Sequence, residues 1–332
     1  MTSQPQTEKI FIEERFSDHL AMLQSAVNWR LRCIYRLSLR GFSGIHRVAL
    51  LPGMQLSYSD KRSPMLFHAQ APKDSVTIAA IADTDGYTFF KRLRLKPGIL
   101  VSHDDAPYLF YNGGSSLSAC ISLDKTRHPD LAEKILRLQR HPLEDPQNSL
   151  YNVIVEAMER IRHVDGRASS DLLFQRIEDH LLKKLHALFT PSVLHRAASI
   201  HKSSSGEIAA FSTIEKFFSH MDGKFDSKEL AALYGISPVT LQKGFRTLTG
   251  FTPQKFFRIL KLNIVHSELV STENEKYTVS QIANRWGFSH MGRFSGYYQE
   301  LFGESPSETL SKKRPYNSIK SNCVTRREEI TT

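Results

Sequence analysis

Residues 226–250, DSKELAALYGISPVTLQKGFRTLTG, decide how the rest of the chain is read. A short helix is expected from about Ser227, carrying Leu230, Ala231 and Tyr234 inward. Gly235 then makes the turn, and Ser237 caps a second helix that holds Pro238 in its first turn, where a missing N–H costs nothing. In that second helix Leu241, Phe245 and Leu248 fall at i, i+4 and i+7 and share the inward face. Val239, Thr240, Gln242, Lys243 and Arg246 are left on the outer face. Two short helices about a tight glycine turn are the pattern of a helix-turn-helix. The outer side chains are of the kinds that reach base edges and phosphates in a DNA major groove.

The pattern recurs downstream. Residues 279–286 (VSQIANRW) give a first helix, Gly287 a turn, Ser289 a cap, and residues 290–302 (HMGRFSGYYQELF) a second outer helix. Phe294, Tyr298 and Leu301 form its inward set, and His290, Met291, Arg293 and Tyr297 face outward or near it. Residues 253–270 read as a helix between the two units. At 1.5 Å per residue it is a rod of about 27 Å, which with the bodies of its flanking units suits two outer helices in successive major grooves about 34 Å apart.

Residues 208–310 resemble the DNA-binding domain of AraC/XylS-type transcription regulators. The likeness is carried in the first unit by Leu230-Ala231, Gly235-Ile236-Ser237, Leu241, Phe245, Gly250 and Pro253. In the second it is carried by Ile282-Ala283, Gly287-Phe288-Ser289, Gly292-Arg293-Phe294, Tyr298 and the run from Phe302 to Leu310, FGESPSETL, which is similar to the XylS-like branch. The family often has arginine where this chain has Gly296, and near His266. The resemblance implies two helix-turn-helix units joined by one long helix, promoter DNA and RNA polymerase as partners, activation of transcription, and pairing as a homodimer. It also implies a cupin-like β domain ahead of the helices, used for a small-molecule effector or for dimerisation.

Upstream residues fit that order. Between 30 and 123, short β-branched and aromatic segments alternate with turn residues, the antiparallel pattern. Strands are expected at 31–37, 46–51, 55–58, 65–70, 76–82, 88–95, 99–102, 108–111 and 117–123, enough for a small barrel or sandwich. From Pro129 the period becomes helical: Leu131, Ile135 and Leu138; then Leu150, Val153, Ile154, Ala157 and Ile161; then Leu172, Leu173, Ile177, Leu181, Leu182 and Leu185. The last stripe suits either a dimer interface or packing on the β domain. The expected fold class is α+β. Residues 1–165 would be the cupin-like regulatory domain, 166–205 an amphipathic helix with a serine-rich linker (199–206), 206–315 the DNA-binding domain, and 316–332 a charged flexible tail.

The 332 residues carry 44 Lys+Arg against 34 Asp+Glu, a formal charge of +10. That favours an anionic partner without choosing between nucleic acid and a membrane surface. Residues 1–205 hold 27 basic and 21 acidic side chains and 206–315 hold 14 and 11, so the excess is not concentrated in the helical domain. Three dispersed cysteines, Cys33, Cys120 and Cys323, fit neither a disulfide framework nor a CxxC site and point to a cytoplasmic location. No signal-peptide pattern opens the chain and no apolar run reaches the length of a membrane span. His46, His68 and His103 stand alone without an HxH pair, and no GxSxG, P-loop or GxGxxG occurs, so no catalytic residue, metal or cofactor is expected. Arg36, Arg47, Arg92 and Arg94 lie in expected strands; facing inward they would clamp a carboxylate, facing outward they are ordinary solvated positions. A regulator without an effector, set by its abundance or a protein partner, is the alternative; a cupin-type enzyme bearing a DNA-binding module is a remote one.

Overall fold

A computed structural model describes residues 11–16, 19, 22, 28–39, 41–85, 88–90, 93–95, 97–103, 108–137, 143, 145, 147–163, 170–189, 203–219, 226–271 and 277–312. The expected tail and half of the expected linker lie outside these residues, as do the side chains of Arg92 and Arg94.

Eleven strands among the described residues make two antiparallel sheets. They are β1 (Phe11–Phe16), β2 (Arg30–Arg36), β3 (Gly44–Leu51), β4 (Met54–Lys61), β5 (Met65–Gln70), β6 (Ser75–Thr84), β7 (Thr88–Phe90), β8 (Leu93–Leu95), β9 (Gly98–His103), β10 (Tyr108–Asn112) and β11 (Ser116–Asp124). The first sheet runs β1-β3-β4-β11-β6-β9 and the second β2-β5-β10-β7-β8. Two readings change. Residues 11–16 (FIEERF) carry no apolar alternation, yet they form an edge strand on β3 because Arg47 holds Glu13 at 2.8 Å across the pair. Residues 88–95, read as one strand, are the two arms of a hairpin.

Each sheet uses its two faces differently, as a period of two allows. Leu56, Val76, Ile78, Ala80, Ala119, Ile121 and Leu123 of the first sheet are buried under three helices, α1 (Pro129–Leu136), α2 (Ser149–Arg162) and α3 (Ser170–Leu188). The α3 stripe of Ile177, Leu181 and Leu185 is consumed in this packing, and Leu172, expected within it, is 58% exposed. The opposite face of the first sheet turns toward the second. The second sheet's far face, with Tyr35, Leu66, Phe89, Leu109 and Tyr111, joins one apolar core with the C-terminal helices.

Those helices are α4 (Ser205–Ser219), α5 (Ser227–Leu233), α6 (Pro238–Thr249), α7 (Pro253–Val270), α8 (Val279–Arg285), α9 (Met291–Phe302) and α10 (Pro306–Ser311). Ser205 and Gly206, read as linker, are already helical, since Ser204 and Glu207 close a cap ahead of them. The halves meet along α7. Asn263 accepts from the Arg36 backbone N–H at 2.8 Å and donates to the Arg36 carbonyl at 2.9 Å, pairing with the open edge of β2 as another strand would. Phe211 stacks on Phe89, and Phe218 packs against Tyr35.

Candidate nucleic-acid interface

Both helix pairs have caps written into the sequence. Asp226 accepts from the N–H groups of Lys228 and Glu229 to start α5, and Ser237 accepts from the Thr240 N–H to start α6. Gly235 between them has φ +64, left-handed backbone that a side chain would strain. The second pair repeats this: Thr278 and Gln281 form a reciprocal cap at α8, and Gly287, at φ +83, turns the chain. The cap of α9 differs from the expected one. His290 occupies the N-cap position and makes no side-chain cap bond, and the helix proper starts at Met291.

Inward residues fall where the periodicity put them: Leu241, Phe245 and Leu248 of α6 and Phe294, Tyr298 and Leu301 of α9 are buried. On the outer face of α6, Val239 is 59% exposed, and Lys243 and Arg246 are exposed. These three stand at i, i+4 and i+7, a single stripe. Gln242 and Thr240 are half-buried, and the Thr240 hydroxyl is engaged with Ser237. His290 and Arg293 are exposed on the second unit, whereas Met291 packs on the core. The structure therefore brings Val239, Lys243, Arg246, His290 and Arg293 to the surface and leaves Thr240, Gln242 and Met291 partly withdrawn.

Sequence reasoning missed the residues that fix these helices on α7. Glu268, with a fully buried side chain, accepts from Trp286 Nε1–H at 2.7 Å and from Arg285 at 3.1 Å, tying α8 to the connector. Arg258 lies 3.9 Å over the ring of Tyr297, tying α9 to it. His266, where the family resemblance leads one to look for arginine, is buried, bonded to Tyr298 at 2.6 Å and stacked on Phe302. Gly244 sits against Gly206 so closely that a Cβ on it would overlap the Gly206 carbonyl, which sets α4 directly on α6.

The β half holds a second concave feature, a cavity of about 120 Å³ between the sheets. The first sheet contributes His46, Ser57, Ser59, Lys61, Ser118 and Cys120; Phe67, Phe90, Tyr108 and Phe110 face them from the second. Neither Arg36 nor Arg47 reaches it. Arg36 bonds the Ser38 carbonyl, and Arg47 is paired with Glu13 and Glu159. The cation inside is Lys61, whose place in the 57/59/61 alternation was the available clue. Burial draws its amine down to about 8 and the His46 imidazole down to about 4, and raises the Cys120 thiol to about 11. Among the described residues no group of three or more His, Cys, Asp or Glu side chains is placed to hold a metal ion, and no helix is long and apolar enough to cross a membrane.

A family model described as a helix-turn-helix domain matches residues 230–312. Over 82 residues the chain is 39% identical to the probable thc operon regulatory protein of Rhodococcus erythropolis, covering 25% of each. Over 101 residues it is 36% identical to the XylDLEGF operon transcriptional activator 2 of Pseudomonas putida, covering 30% of this chain and 60% of that one. It thus spans about a quarter of the first relative and three-fifths of the second. Among solved structures it is similar to a probable AraC family transcriptional regulator from Rhodopseudomonas palustris, with 32% identity, 32% of this chain and 98% of that chain covered, and a TM-score of 0.29.

Proposed function

We propose that this chain is a transcriptional regulator of the AraC/XylS type that activates transcription by laying α6 and α9 into successive major grooves of promoter DNA. The observation that carries this reading is the pair of capped helix-turn-helix units on one 18-residue connector, α7, with Lys243, Arg246 and Arg293 exposed on the outer helices. Lys243 and Gln242 would read bases, and Arg246 and Arg293 would hold phosphates or base edges, with Val239, Thr240, His290 and Met291 completing the surface. Thr240, Gln242 and Met291 would need to turn outward on binding. RNA polymerase is the partner such an arrangement would position.

The β domain, cupin-like in this reading, would receive a small molecule in the cavity between its sheets. Its far wall is the sheet that packs on α4 and α7, which gives occupancy a short route to the DNA-binding helices. Pairing as a homodimer would use a surface other than the α3 stripe, since that stripe is buried within the chain. Genome-wide mapping of bound sites, followed by gel shifts on the sequences recovered, tests the function. Lys243→Ala is expected to weaken cognate binding by about 1–3 kcal/mol at physiological salt. Unchanged affinity would remove Lys243 from the interface.

A further inference from the structure

The inner face of the first sheet is unusual for a face that meets another sheet. Two sheets packed face to face normally fill the space between them with interdigitating apolar side chains. Here β4 presents Ser57, Ser59 and Lys61 inward, β11 presents Ser118 and Cys120, β6 presents Thr77, and β9 presents Ser102. Ala79, Ile81 and Leu100 of the first sheet and the rings of Phe67, Phe90 and Phe110 of the second complete the lining, so these polar groups sit in a largely apolar cavity. Buried polar groups are costly when they lack partners, and Ser57 Oγ has none among the described residues.

Lys61 is the most costly of them. It is 6% exposed, and among the described residues its ammonium contacts neutral groups, the Ser118 hydroxyl at 3.0 Å and the face of Phe67, 5.3 Å from the centroid. No carboxylate among the described residues is paired with it. Asp60, its neighbour along the strand, has both oxygens held by Arg62, at 2.8 and 2.6 Å. The other titratable groups of the lining are neutral near pH 7, because burial keeps the His46 imidazole unprotonated and the Cys120 thiol and Tyr108 phenol protonated. Among the described residues the cavity's one positive charge is therefore unpaired, with Asp60 favouring it only through space. A neutral ligand would leave that charge unpaired, and a dianion would bring a second, unmatched charge into the interior.

We propose that this cavity binds a compact monocarboxylate with an apolar body, its carboxylate on Lys61 and the Ser57 and Ser118 hydroxyls and its body against Phe67, Phe90 and Phe110. This rests on the reading that the β domain receives an effector, and names that effector's class. A volume of about 120 Å³ is close to that of engineered apolar cavities that take up benzene, so the body is a single ring or a short chain.

The test is calorimetric titration of the full chain with hexanoate and phenylacetate, each beside its neutral isostere, 1-hexanol and 2-phenylethanol. Both carboxylates are expected to bind about tenfold or more tightly than the matched alcohols. Lys61→Gln and Lys61→Met should abolish that preference. In the ligand-free protein Lys61→Met should also raise the melting temperature, the opposite of what loss of a structural lysine would do. Equal binding of acid and alcohol, no binding of either, or an acid preference that survives Lys61→Gln would each overturn the proposal. Should Lys61→Met fail to fold, the wild-type comparison of acid with alcohol still decides. Gel shifts on the same preparations separate the two readings. DNA bound with no carboxylate response leaves the regulator and removes this effector class; carboxylate bound with no DNA recognised does the reverse.

Discussion

Gly244 and Gly296 lie inside the two outer helices, and the same substitution at each should have opposite effects. A glycine within a helix costs about 1 kcal/mol relative to alanine. At Gly296 nothing among the described residues lies within 4 Å of where a Cβ would stand, so Gly296→Ala is expected to stabilise the protein by up to that amount. At Gly244 the new Cβ would overlap the Gly206 backbone, and forcing α4 from α6 should cost about 1–3 kcal/mol. Urea denaturation of the two variants checks both signs. The sequence marks these glycines as equal liabilities, because the partner that distinguishes them comes from a helix far upstream. His46 offers a second residue-scale check. Its folded-state pKa, about 4, lies below the ordinary imidazole value of 6.5, so between these pH values the unfolded chain takes up a proton that the folded chain refuses. Stability contributed by the neutral ring is therefore complete above pH 6.5 and falls as pH drops toward 4, by about 3 kcal/mol in all. His46→Gln should flatten that part of the stability–pH curve relative to wild type.

Among the elements, α7 does the most to hold the molecule together. It was also legible to its end residues, since Thr252 and Pro253 open it with a cap and N1 proline. What its side chains join was not legible, because an asparagine or glutamate in a helix reads as a solvated position until its neighbours are known. Glu268→Ala strands the Trp286 N–H and one side of Arg285, and a loss of about 2–4 kcal/mol is expected in thermal or urea unfolding. Asn263→Ala should release the β2 edge. Hydrogen exchange of backbone amides around Arg36 should then quicken, with other strands of the second sheet unchanged. The strand at 11–16 escaped notice because its two adjacent glutamates break any alternation; it exists by pairing with β3, a partner that local pattern does not disclose. The start of α9 was placed one residue early for a related reason: Ser289 is a better capping type than His290, but the fold begins the helix after the histidine.

For the whole molecule, the mixed α+β class and the order of a strand-rich half before a helical half followed from the change of period near Pro129. The joining of the halves did not, because periodicity says that a face is covered without saying by what. Net charge was the least informative whole-chain quantity, since most of the excess lies outside the helical domain. A few placed cations should govern the response to salt. Arg246→Ala combined with Arg293→Ala is expected to lower the slope of log affinity against log salt by about 2 if both contact phosphate. An unchanged slope in binding titrations across salt would place them off the backbone. The second sheet has a further consequence, for how such a protein can change by descent. Along β10, Tyr108 and Phe110 line the cavity, while Leu109 and Tyr111 belong to the core shared with the C-terminal helices. Substitutions can thus alter the cavity lining and the docking of the two halves separately, as alternate residues answer to opposite sides. A one-residue insertion or deletion would exchange the two sets at a stroke, so lineages of this chain should diversify these strands by replacement and confine length changes to the turns.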